Sequence, residues 1–173
     1  ASDVYKRQDE IIAFARDIYT HAELGYKEFR TSQKAKEFLE KLGLKVEDGF
    51  AITGVKGYLN PEKKGNTSLA LIGEMDALRI PEHKYVNPET QAAHCCGHHA
   101  QLAGIIGAAI ALTDPEIAKT LDGQVVFFAV PADEGAGVRL TLHRIHMPLR
   151  GGQCQFHAHA AGTGPHVPQD VFR

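Results

Sequence analysis

His94-Cys95-Cys96-Gly97-His98-His99, followed at once by the apolar run Ala103 to Leu112, is the stretch from which the fold of this chain is read. Five of its six side chains can ligate a metal ion. Cys96 and His98 stand two positions apart, and Gly97 between them lets the backbone turn tightly enough for a thiolate and an imidazole to reach one ion. Ala100 to Leu112 reads as a helix, so the pair lies at or just before a helix N-terminus, where unpaired N–H groups and the dipole favour a thiolate. Such a run also arises as reduced, partly buried side chains with no ligand.

The composition bounds what surrounds this stretch. A chain of 173 residues is long enough for one domain with its own core. A formal net charge of -2 leaves no basic footprint, which argues against nucleic acid or an anionic membrane as partner. Three cysteines, two of them adjacent, make no disulfide framework, and no signal peptide is read, so a soluble protein of a reducing, cytoplasmic compartment is expected. The apolar run at Ala103 to Leu112 is about half of what a membrane span needs.

Working outward, apolar residues at Ile11, Ile12, Ala15 and Ile18 predict a helix from Asp9. Ala35, Phe38, Leu39 and Leu42 predict a second one, begun at Thr31 or Ser32 and ended by Gly43. His21-Ala22-Glu23-Leu24-Gly25 between them reads as a polar turn, with a catalytic use of His21 or Glu23 as the alternative. Leu44 to Val46 and Ile52 to Leu59 read as strands parted by a turn at Asp48-Gly49. Ser68 to Gly73 reads as a strand buried on both faces that delivers Glu74-Met75-Asp76 to its C-terminal end, where open α/β sheets build their sites. Asp76 is therefore a candidate, against the alternative of a solvated loop acid. Pro81 to Thr90 reads as a polar loop. Gln124 to Val130 reads as a further buried strand, ending on Pro131-Ala132-Asp133-Glu134.

Alternating strands and helices predict an α/β fold with a mostly parallel sheet whose strand ends converge on the Cys-His cluster. A thiolate, imidazoles and a carboxylate can acidify a bound water, and a second carboxylate can take its proton. Consecutive side chains at a strand end diverge, so one of Asp133 and Glu134 can bind metal while its neighbour faces the water. Residues 136 to 173 differ in character, with no lysine, no glutamate and five of the ten histidines. They are expected to form an irregular histidine-rich tail, or to be the product of a reading-frame slip.

The cluster at 94 to 99, Met75-Asp76-Ala77-Leu78, Pro131-Ala132-Asp133-Glu134, and His21 to Gly25 with Glu28 and Thr31 together resemble the M20 metallopeptidase family, in its amidohydrolase branch acting on N-acyl, hippuryl and indole-acetyl amino acids. The likeness runs from about Ile11 to Glu134. It implies a zinc-peptidase-like catalytic domain, with residues 9 to 135 as its N-terminal part, and metal-dependent hydrolysis of the amide bond of an N-acyl amino acid or a related small conjugate. By the same resemblance Cys96 is a thiolate ligand bridging two divalent ions, His98 and Glu134 are ligands, Asp133 is the general base, and Asp76 is an acid close to the metals. His157 is the first choice for a further ligand, with His159 beside it. Zinc is the expected metal, with manganese, cobalt and nickel as alternatives. Family members are expected to pair as homodimers through an inserted lid domain that is not found in this sequence.

Three departures accompany the resemblance. Asp133 is one methylene shorter than the family's usual glutamate. His99 replaces an acid, and Gln101 a histidine. The segment carrying the family's last histidine ligand is also missing, His166 being no convincing substitute. The competing expectations are a dipeptidase or aminoacylase of other specificity, and a truncated metal-binding module without turnover.

Overall fold

The computed structural model describes residues 5–63 and 67–133. In chain order it contains α1 (Gln8–Thr20), α2 (Phe29–Lys41), β1 (Lys45–Phe50), β2 (Gly54–Leu59), a 3-10 turn at Pro61–Lys63, β3 (Ser68–Glu74), β4 (Leu78–Arg79), β5 (Ala92–Ala93), α3 (His98–Leu112), α4 (Pro115–Ala118) and β6 (Gln124–Val130). No described helix is long and apolar enough to cross a membrane.

The amphipathic spacing does what it predicts in the first two helices. α1 buries Phe14 and Ile18, and α2 buries Thr31, Ala35, Phe38 and Leu39. Phe14 meets Phe38 edge to face, with ring centroids 5.5 Å apart. α3 is largely apolar beyond its first turn and buries Leu102, Ala103, Ile105, Ile106, Ala109 and Ile110, packing against α1 and β3 and leaving Ala100, Gln101 and Gly104 exposed. Its Ile105 lies over Gly73, where there is no room for a Cβ without displacing that side chain. Together with Leu102, Ile106, Val55 and Phe127 these residues form one core beside the sheet.

The sheet has the order β1-β2-β6-β3. β3 and β6 are parallel, with Ser68 opposite Gln124 and Glu74 opposite Val130, and α3 provides the crossover between them. The expectation of a mostly parallel sheet holds for this pair alone. β1 and β2 are antiparallel, as are β2 and β6. For β1 and β2 the cause is local, because the link between them spans only residues 51–53 and a connection that short permits only a hairpin. The fold class remains α/β, with a mixed sheet. The hairpin turn also lies later than expected. Asp48-Gly49 sits inside β1, where the register shifts between Asp48 and Phe50 and Gly49 takes φ 83°. A positive-φ glycine serves a bulge as readily as a turn, and composition does not tell the two apart.

β6 is buried along its whole length, whereas β3, at the edge of the described sheet, is only half-buried. The expected polar loop at Pro81 to Thr90 is a loop, and it is flanked by the small antiparallel pair β4–β5, with Leu78 opposite Ala93. The effect of the pair is to bring the 94–97 segment back beside the end of β3. The expected tail at 136 to 173 lies outside the described residues.

Candidate metal centre

The C-terminal ends of the parallel strands β3 and β6 and the N-terminus of α3 meet at one place, and His98 is at its centre. Gly97 caps α3 with φ 90°, a left-handed conformation that suits glycine and places His98 as the first helical residue. The His98 ring is buried and held from both sides. Its Nδ1 lies 2.8 Å from the Asp76 carbonyl oxygen and 3.1 Å from Asp76 Oδ1. Its Nε2 lies 3.1 Å from Glu74 Oε2 and 4.0 Å from Asp133 Oδ2. Ligand atoms of Glu74, His98 and Asp133 all fall within 4.8 Å of one another. One imidazole and two carboxylates converging in this way form a donor set suited to a divalent cation. The Asp76 contacts hold the imidazole by Nδ1 and leave Nε2 for the ion.

Electrostatics follow from this packing. Burial works against a charged His98, but the hydrogen bonds and negative charge of Asp76, with Glu74 beyond, outweigh it and hold the imidazole up at about 9. Burial, reinforced by the Asp133 carboxylate, pushes Glu74 upward. Two further histidines behave oppositely. His94 is buried and pushed down to about 4 by desolvation and by the neighbouring His99 and His98. Its ring stands 5.3 Å from that of His99, and His99 lies 4.8 Å from Tyr19.

Of the residues singled out from sequence, the structure brings His98, Asp76 and Asp133 together. Asp76 touches His98 on the face away from the candidate ion, so its place is behind the imidazole. Cys96 is exposed and does not belong to the Glu74–His98–Asp133 group. Glu134 and His157 lie outside the described residues. Glu74 was not singled out, although the strand-end argument that selected Asp76 applies to it equally. The two flank Met75, and a strand-end pair at that spacing is itself a signal.

The contacts of His21 and Glu23 in the early motif are with neighbouring backbone and helix ends. His21 is exposed at the end of α1, with Nδ1 2.8 Å from the Asp17 carbonyl oxygen. Glu23 accepts hydrogen bonds from the Arg30 and Thr31 amides at 3.0 and 2.8 Å and from the Thr31 hydroxyl at 2.8 Å, which caps α2 at its positive end. Its own carbonyl accepts from the Ala77 amide at 2.8 Å and so fastens the segment after Asp76.

No family model matches the chain. Individual proteins do. The chain is 34% identical over 141 residues to thermostable carboxypeptidase 1 of Saccharolobus solfataricus, covering 79% of this chain and 35% of that protein. It is 37% identical over 135 residues to the IAA-amino acid hydrolase ILR1-like 4 of Arabidopsis thaliana, covering 75% of this chain and 29% of that one. Among solved structures, a dinuclear metal-binding peptidase of the M20 family from Bacillus subtilis superposes with a TM-score of 0.67 at 30% identity, over 78% of this chain and 38% of its own. The chain thus spans about a third of the length of the curated relatives it matches.

Proposed function

We propose that this chain, a member of the M20 metallopeptidase family, supplies through residues 9 to 135 the N-terminal part of a catalytic domain that hydrolyses the amide bond of N-acyl amino acids or related small conjugates. The observation that carries the proposal is the convergence of His98 Nε2, Glu74 and Asp133, with Asp76 fixing His98 from behind. Two divalent ions, zinc before manganese, cobalt or nickel, would be held by His98, Cys96 and Glu134 with a histidine such as His157, and Glu74 is added to that set. When bound they polarise the scissile carbonyl and acidify water.

The remaining steps belong to the chain's own side chains. Asp133 accepts the proton of the attacking water and passes it to the departing amine nitrogen. Its reach is short by one methylene relative to glutamate, and a displacement of about 1 Å costs rate steeply. Asp76 keeps the imidazole of His98 from turning. The adjacent thiols of Cys95 and Cys96 fit a reducing compartment.

The test uses the full-length protein on a panel of N-acyl amino acids, with metal content measured on the same samples. Turnover that chelation abolishes and zinc restores supports the proposal. Bound metal with no turnover on any substrate identifies a binding module instead. Asp133→Asn is expected to keep its metal and lose most turnover, and Glu134→Gln to lose metal. The opposite pattern reverses the two roles. Cys96→Ala is expected to lose more metal than Cys95→Ala, and equal losses would remove Cys96 from the ligand set.

A further inference from the structure

Glu28 is fully buried, and an isolated carboxylate so placed is costly unless hydrogen bonds hold it. Both of its oxygens are engaged. Oε2 accepts from the Thr53 hydroxyl at 2.7 Å, and Oε1 accepts from the Ala132 amide at 2.9 Å. These partners come from the hairpin link between β1 and β2 and from the residue that precedes Asp133. Val130 is the last residue of β6, and Pro131 has no N–H to extend the strand pairing. The Ala132 amide is thus the first backbone donor beyond the strand, and it is buried. Ala132 also stands at φ 56°, a left-handed conformation unusual for alanine. Its Cβ packs so close to Gly25 that a Cβ placed there would lie 3.0 Å away.

We infer that Glu28 is a positioning residue for the reaction: its carboxylate holds the Ala132 amide, fixes the left-handed turn at Ala132, and thereby aims the Asp133 side chain at His98. A strand running on straight past Val130 would carry residue 133 onward with the sheet instead of turning it toward the end of α3. The inference rests on the role given to Asp133 above. Glu28 touches neither substrate nor metal, and its influence passes through one backbone amide.

The experiment compares Glu28→Ala, Glu28→Gln, Thr53→Val and Asp133→Asn in the full-length protein. It measures kcat and KM per folded, zinc-loaded molecule, together with hydrogen exchange of the Ala132 amide in the zinc-free protein. Glu28→Ala is expected to accelerate exchange at Ala132 by about tenfold or more while leaving core amides such as Phe14 and Ile18 protected. It is also expected to lower kcat by roughly a hundredfold with KM little changed. Glu28→Gln keeps an oxygen for the Ala132 amide and is expected to retain most of kcat and of the protection. Thr53→Val, which removes only the outer hydrogen bond, is expected to fall between the two and covers the case in which Glu28→Ala does not fold. Loss of protection across the whole core together with Ala132, an unchanged kcat in Glu28→Ala, or equal damage by Gln and Ala would each overturn the inference. Full turnover by Asp133→Asn would instead overturn the role of Asp133, while exchange at Ala132 would still report on the Glu28 contact.

Discussion

Asp76 grips His98 twice, by its carbonyl and by its carboxylate, and the two contacts lead to different expectations. Asp76→Ala removes only the carboxylate, so zinc affinity is expected to fall by about tenfold, at the low end of the 10- to 100-fold range for such partners, because the carbonyl still orients the ring. Isothermal titration with zinc checks this, and a loss of thousands-fold would mean that Asp76 ligates the ion itself. The charge on His98 sets a second expectation. Its folded value of about 9 lies above the ordinary 6.5, so in metal-free protein its contribution to stability is complete below about 6.5 and is lost as pH rises through about 9. Zinc needs a bare Nε2, so uptake at neutral pH is expected to release about one proton from this ring and to tighten as pH rises toward 9. Titrations in buffers of different ionisation enthalpy count that proton, and none released would contradict the protonated state of His98.

At the scale of elements, two short pieces of the early motif hold larger ones. Glu23 caps α2 from outside the helix, and Glu23→Ala is expected to cost about 1 kcal/mol in a urea unfolding experiment. Zinc affinity should be unchanged, because α2 does not reach the site. Gly25→Ala meets Ala132 backbone and side chain at 3.1 and 3.0 Å, and Asp76 Oδ2 at 3.6 Å. Overpacking there is expected to cost about 1–3 kcal/mol and, unlike the Glu23 change, to lower kcat, since it displaces the residue before Asp133. Stability loss with an unaltered kcat would show that the Ala132 turn tolerates movement. α1 and α2 were legible from sequence because each presents an apolar period that only a helix satisfies, and β6 because its seven-residue, β-branched and aromatic run is too short for a helix. The turn at residues 51–53 was not, since Ala51 and Ile52 carry no turn signal and yet take φ 45° and 81°. Tertiary closure of the hairpin overrides their local preference.

Across the whole molecule, the site exists because a parallel pair of strands ends beside the helix that connects them. That much was legible: two apolar runs ending in acids, with a Cys-His cluster before the helix between them, predict carboxylates converging on an imidazole. The partition of roles was harder to read. Glu74 and Asp76 are equivalent in a one-dimensional pattern, and only packing shows that one faces Nε2 and the other Nδ1. The antiparallel half of the sheet was misread for a related reason, since pairing direction depends on connection length as well as on strand content. The most direct measurement of the account is anomalous diffraction at the zinc edge on crystals of the full-length protein loaded with zinc. The account predicts a peak about 2.0–2.1 Å from His98 Nε2 with a Glu74 carboxylate oxygen also in ligand range, while Nδ1 stays on Asp76. A zinc ion bound elsewhere, with His98 Nε2 still paired to Glu74, would contradict it.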